Sequence, residues 1–246
     1  MTRNHRDIDP ILRQWPFEPG VVSARLIQAS DGREVLQMRI EMGLMQMETR
    51  LRPDGARPGE ADTYLDYLRQ NPSTNGEDFV LDEEQCLEID REFLQYYHRR
   101  ICWLSLRQFD RVASDADHTL ALMDFVASHS PDQEWTLSHE QYRPFVLFHR
   151  TQAAALAALE ESGPEAAIEV VTSGLEQIRG VFSAIDAEEQ FEEDPLIAQL
   201  VKLREWVRTQ YQLGRTLSEQ LAEAVASEQY ELAAKLRDEI ARRQRT

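Results

Sequence analysis

The chain has 246 residues, 42% hydrophobic and 29% charged, and a formal charge of −17. That apolar content suffices for a packed core. No apolar run reaches the roughly 18 residues of a membrane-spanning helix, and the opening MTRNHRDIDP has no secretory leader's apolar stretch, so a cytoplasmic protein without a membrane segment is expected.

The acid is concentrated in the middle. Residues 59–194 carry 9 basic and 29 acidic side chains, whereas 1–58 carry 9 and 8, and 195–246 carry 9 and 7. Such a surface repels phosphate backbones, leaving only the tail arginines Arg237, Arg242, Arg243 and Arg245 for weak contact with nucleic acid. Those cations also suit a helix carboxyl terminus.

Residues 1–20 form a proline-rich arm in which Trp15, within QWPFEPG, is expected as an exposed anchor. Residues 21–80 are expected to hold a small β meander and a short helix at 60–70. VVSARLIQASDGREVLQMRIEM alternates around Asp31-Gly32, a dipeptide suited to a hairpin turn. Leu36, Met38, Ile40 and Met42 are expected to share a face. At MGLM the alternation changes phase, so that Met45 and Met47 continue on odd positions, as a bulge at Gly43 would allow. Three strands have little core of their own, so the sheet is expected to pack on helices.

Residues 82–192 read as an acidic helical bundle arranged in pairs. Helix starts are expected at Asp82 with Gln85, at Ser138 with Gln141, and at Gly163-Pro164. Two windows, YHRRICWLSLRQFDRVASDADHTLALMDF and HRTQAAALAALEESGPEAAIEVVTSGLEQI, resemble tetratricopeptide repeats. In the second, Ala155, Ala167 and Gly174 would let paired helices approach, with Leu175 and Ile178 as larger knobs. Cys86 and Cys102, far apart and in no CxxC pair, read as buried thiols.

Residues 195–246 are expected to hold a long helix and a helical hairpin. Leu196, Leu200, Leu203, Val207, Leu217, Leu221 and Ala224 keep a 4-3 rhythm that fits one helix over 196–226; Gly214 and the Thr216–Glu219 capping box fit a break instead. After an interruption at 227–229, YELAAKLRDEI starts another helix. Ala233 and Ala234 would allow close helix approach, and Tyr230 would cover the open end. A hairpin this short buries too little to stand comfortably alone, so part of its apolar face calls for a partner.

Leu217, Leu221, Ala224, Glu231, Ala233, Ala234, Arg237, Asp238 and Ile240 match the pattern of the UVR motif, the helical hairpin of UvrB and UvrC and of some Clp-ATPase adaptors. Tyr230 stands for the usual phenylalanine and Val225 for an alanine; Glu228 departs from an apolar position. DGREVLQMRIEMGLMQME followed by RPDG also resembles uncharacterised bacterial proteins carrying this motif at their other end. The resemblance implies protein binding through Leu221, Tyr230, Glu231, Ala233, Ala234, Arg237, Asp238 and Ile240, with Arg237 reaching a partner carboxylate. The implied partner is another UVR-bearing protein, a Clp-type ATPase or a second copy of the chain.

The sequence contains no HExxH, GxSxG, GxGxxG or Walker loop, and its histidines are scattered. No metal, cofactor or catalytic residue is therefore expected. The fold class expected is mainly α, with the N-terminal antiparallel meander packed on a TPR-like bundle of helical hairpins and a helical hairpin at the carboxyl end. Three functions follow: a non-enzymatic adaptor, an excision-repair accessory touching DNA, and an enzyme whose site lies between sheet and bundle.

Overall fold

The computed structural model describes residues 7–71 and 79–243, in two compact units, Met1–Val146 and Leu147–Thr246. Arg245 and residues 72–76 of the expected NPSTNG break lie outside the described residues.

In the first unit, α1 (Asp9–Gln14) precedes a sheet of order β1 (Ala24–Gln28), β2 (Glu34–Ile40) and β3 (Gly43–Glu48), both pairs antiparallel. The first hairpin turns through Gly32 at φ 86°, a conformation glycine adopts without a Cβ clash. The phase change at MGLM, expected as a bulge, is instead the second hairpin turn: Ile40 faces Gly43 across Glu41-Met42. Antiparallel pairing sets Met38 opposite Met45 and Leu36 opposite Met47, so even positions of β2 and odd positions of β3 share a face without an inserted residue. Met42, expected on that face, is 91% exposed in the turn, and Ile40 is exposed as well.

The other face mixes apolar Ile27, Val35 and Leu44 with polar side chains bonded across the strands. The Gln37 side-chain oxygen accepts from the Arg25 guanidinium at 2.8 and 3.0 Å, and the Gln37 amide donates to Gln46 at 3.0 Å. Trp15 is half-buried rather than exposed. It does pin the arm: its Nε1 donates to Ser23 Oγ at 2.7 Å, Arg25 lies 4.3 Å from its ring, and its carbonyl accepts from Arg39 Nε at 2.8 Å.

Behind the sheet come α2 (Tyr64–Gln70), α3 (Glu83–Ser105), α4 (Phe109–His129) and α5 (Gln133–Glu140), with α3 packed on β1, β2, α2 and α4. Tyr64, Leu65, Leu68, Leu81, Ile89, Leu122 and Val126 form a buried cluster. Asp82 and Gln85 make the expected capping box. Ser138 does not start a helix. It lies inside α5, whose cap is Asp132, accepting from Trp135 N at 2.8 Å; the Ser130-Pro131-Asp132 run supplies a stronger stop-and-start signal. Cys102 is buried and Cys86 half-buried, and burial pushes the Cys102 thiol up to about 12.

The boundary between the units falls within α6 (Arg143–Glu161). The second unit continues with α7 (Pro164–Ser183), α8 (Glu188–Glu193), α9 (Pro195–Gln210), α10 (Leu217–Ala226) and α11 (Tyr230–Arg243). A Cβ on Gly174 would sit 2.2 Å from the Thr151 side chain, so α6 and α7 approach as the small-residue pattern predicts. Ala155 and Ala167 are buried, as are Leu175 and Ile178. The 4-3 rhythm of 196–226 belongs to two helices. After α9, Gln212 takes a left-handed conformation (φ 53°) and Leu213 N bonds back to Arg208 O at 3.0 Å, a Schellman ending that stops the helix before Gly214.

Candidate protein-interaction hairpin

The hairpin begins at a fully made capping box. Thr216 Oγ1 accepts from Glu219 N at 3.2 Å, and Glu219 Oε2 accepts from Thr216 N at 2.9 Å. Arg208 of α9 pairs with Glu219, and Ser218 reaches Glu169 of α7 at 3.4 Å, which ties this first turn to the helices before it. Burial pushes the Glu219 carboxyl upward, but the Thr216 amide and the Arg208 guanidinium outweigh it and hold its pKa below the ordinary glutamate value.

α10 closes with a second Schellman motif: Glu228 N bonds Val225 O at 3.0 Å and Gln229 N bonds Ala224 O at 2.7 Å. The residue forced into the left-handed conformation is Glu228, at φ 57°. At this position the sequence departs from the motif, yet the turn closes. The left-handed residue disfavours any side chain for conformational reasons, so the helix ends at an energetic cost rather than by failing to form.

Between the two helices lie Ala224, Ala233 and Leu236, with Leu217 and Leu221 packed against them. The hairpin's internal contact thus uses one alanine from each helix. Ala234, expected to share that role with Ala233, faces outward. Of the residues expected to bind a partner, Leu221 and Ala233 belong to this internal core, and Ile240 is half-buried. Tyr230, Glu231, Ala234, Arg237 and Asp238 are exposed.

Two further apolar side chains join the outer surface: Leu232 is 45% exposed and Val225 54%, beside Tyr230 at 69%. The sequence offers Val225 only as the substitute for an alanine of the motif and gives Leu232 no role. Their signal is phase, since each directly neighbours a residue of the hairpin core (Ala233 and Ala224) and therefore points away from it. A shallow depression of about 490 Å³ is lined by Gln229, Tyr230, Leu232 and Lys235. Charges of both signs line it, Glu228 and Glu231 with Lys235, and Arg237, Asp238 and Arg242 are exposed further along α11.

A second, polar cavity of about 460 Å³ lies in the first unit beside the end of β3, between α2, α3 and α4, the region where an enzyme site was considered. Two of its charged groups are engaged with each other, and His118 is engaged with a buried carboxylate behind the lining. Arg99 donates to both oxygens of Asp115 at 2.9 and 2.7 Å, and His118 stacks on Tyr96 while bonding Glu92 at 2.9 Å. Glu92 is fully buried and also accepts from the first amides of α2, Tyr64 N at 2.6 Å and Leu65 N at 3.2 Å. This carboxylate completes a helix start as an N-terminal cap would. Among the described residues, no three His, Cys, Asp or Glu side chains are placed to hold a metal ion, and no helix is long and apolar enough to cross a membrane.

Comparison with known proteins bears on the hairpin alone. No curated protein and no solved structure matches the chain. Residues 215–245, which span the capping box, α10, the Schellman turn and α11, match the family model of the UvrB/uvrC motif.

Proposed function

We propose that the protein is a non-enzymatic adaptor whose terminal hairpin binds another protein. The observation that supports this most is the division of labour within the hairpin. Its core is complete with five small and medium side chains, while Tyr230, Leu232 and Val225 remain exposed on its outside. Exposed aromatic and aliphatic groups ringed by charges of both signs have the make-up of a protein-binding patch. The partners that fit best are a repair factor bearing a second hairpin of this motif or a Clp-type ATPase, with Arg237 on a partner carboxylate.

Direct DNA contact is less favoured. Glu231 and Asp238 are exposed among the basic residues of α11, so the described side chains of this helix form no continuous basic stripe.

The test is recovery of the tagged chain from its native lysate beside Tyr230→Ala and Arg237→Glu. A UVR-bearing protein or an ATPase lost from both variants, with their circular dichroism unchanged, supports the adaptor reading. Identical recovery by all three baits contradicts it.

A further inference from the structure

Away from the hairpin, the first unit contains a cavity of about 760 Å³ between α3, α5 and the first turn of α6. Its size falls in the range of small-molecule sites, roughly 300–1,000 Å³. Two helices supply aromatic walls. Phe93 and Tyr97 stand one turn apart on α3, and Tyr142 and Phe145 stand at the start of α6, with ring centroids 6.1 Å apart for Phe93 and Tyr142 and 6.4 Å for Tyr97 and Phe145. Solvent reaches these walls: Tyr142 is 47% exposed, and Leu94, also on the lining, 54%.

The charged groups at the cavity decide what kind of molecule suits it. Arg100 is 1% exposed and its Nη1 donates to Thr119 Oγ1 of α4 at 2.9 Å, so this cation belongs to the wall and meets no ligand. Asp90 is the charged lining group that solvent reaches, its side chain 46% exposed. Both of its protein partners lie on Oδ1, His139 Nε2 at 2.9 Å and Trp135 Nε1 at 3.2 Å, and Oδ2 accepts from no donor among the described residues. A free acceptor beside aromatic walls matches a ligand that brings a donor. A ligand carboxylate would be repelled by Asp90, and a ligand cation by the Arg100 charge behind the wall, which favours an uncharged molecule.

We infer that this cavity binds a neutral aromatic small molecule carrying an N–H or O–H donor, its ring against Phe93, Tyr97, Tyr142 and Phe145 and its donor on Asp90 Oδ2. A flat ring gains contact from the aromatic walls, and the single charged acceptor fixes which edge of the ring faces α3. This site is independent of the hairpin.

Calorimetric titration of the full chain with indole tests the inference, beside 1-methylindole, in which a methyl group replaces the N–H hydrogen. Binding of indole with a Kd below about 1 mM is expected, at least about tenfold tighter than 1-methylindole. Asp90→Ala should erase that preference. Because Asp90 also holds His139 and Trp135, its loss can loosen α5, so Tyr142→Ala provides the second variant: it strips one wall at an exposed position and should weaken indole at least about threefold with the thermal melt retained. No indole binding at about 1 mM, equal affinity for indole and 1-methylindole, or full indole affinity in a folded Tyr142→Ala variant would each overturn the assignment.

Discussion

Two of the chain's Arg–Asp pairs, one in each unit, have surroundings that differ completely. Arg99 and Asp115 join α3 to α4 through two hydrogen bonds, with side chains 4% and 6% exposed, and Arg99 also donates to the carbonyls of Leu51 and Glu48. Arg237 and Asp238 are neighbours on α11, 3.4 Å apart, with side chains 72% and 68% exposed. Removing water turns the first pair into architecture, because neither charge can be left without the other. The second pair is screened by solvent and contributes little to folding, so both groups stay available to a partner.

Disturbing each region in turn sharpens that contrast. The largest effect is expected from Asp115→Ala, which strands the buried Arg99 charge and should cost about 3–5 kcal/mol in urea denaturation. Arg237→Glu should stay within about 0.5 kcal/mol. Comparable losses from the two would erase the distinction.

Ala233→Leu overfills the contact with Ala224 and should destabilise the hairpin by about 1–3 kcal/mol. Hydrogen exchange should show faster amides in α10 and α11 and unchanged protection in α3 and α4.

Thr216→Ala removes the cap and should cost about 1 kcal/mol, read at the same amides. Acidification should act at the same place. The Glu219 pKa is depressed in the folded chain, so its contribution is complete above the ordinary glutamate value and is lost as pH falls through the lower folded value. Amides at 217–220 should therefore lose protection on acidification, and Glu219→Gln should remove that pH dependence.

The one stabilising change is Glu228→Gly. It relieves the left-handed position and should strengthen the hairpin by up to about 1 kcal/mol.

Where residues spell out their own geometry, the sequence could be read directly. The Asp82 and Thr216 capping boxes, Gly163-Pro164 before α7, and the alanine and glycine spacing that brings α6 onto α7 all predicted what the structure contains. Helix ends were harder, for a specific reason. Among the described residues, four of them close on left-handed residues that are not glycine, namely Arg107, Asp186, Gln212 and Glu228, and these carry none of the composition signal of a C-terminal cap. The second β-turn was hidden similarly: Glu41-Met42 lacks the Asn-Gly or Asp-Gly signature, so a hairpin read as a bulge.

At the candidate site, family pattern and exposure part company. A motif records both the residues that hold the hairpin together, such as Leu221 and Ala233, and those that face outward, such as Tyr230 and Arg237. Only packing separates the two sets. The window from Tyr97 to Phe125 pairs the two helices that carry Arg99 and Asp115, but nothing local distinguishes their charges, or Glu92, from those of a solvated helix face.

The most direct measurement is the affinity of the purified chain for the partner it recovers, by calorimetry, for wild type and Tyr230→Ala, with urea midpoints taken on the same samples. The account predicts at least about tenfold weaker binding with an unchanged midpoint, since Tyr230 is exposed and outside the hairpin core. Unchanged affinity would contradict it and return the hairpin to internal architecture.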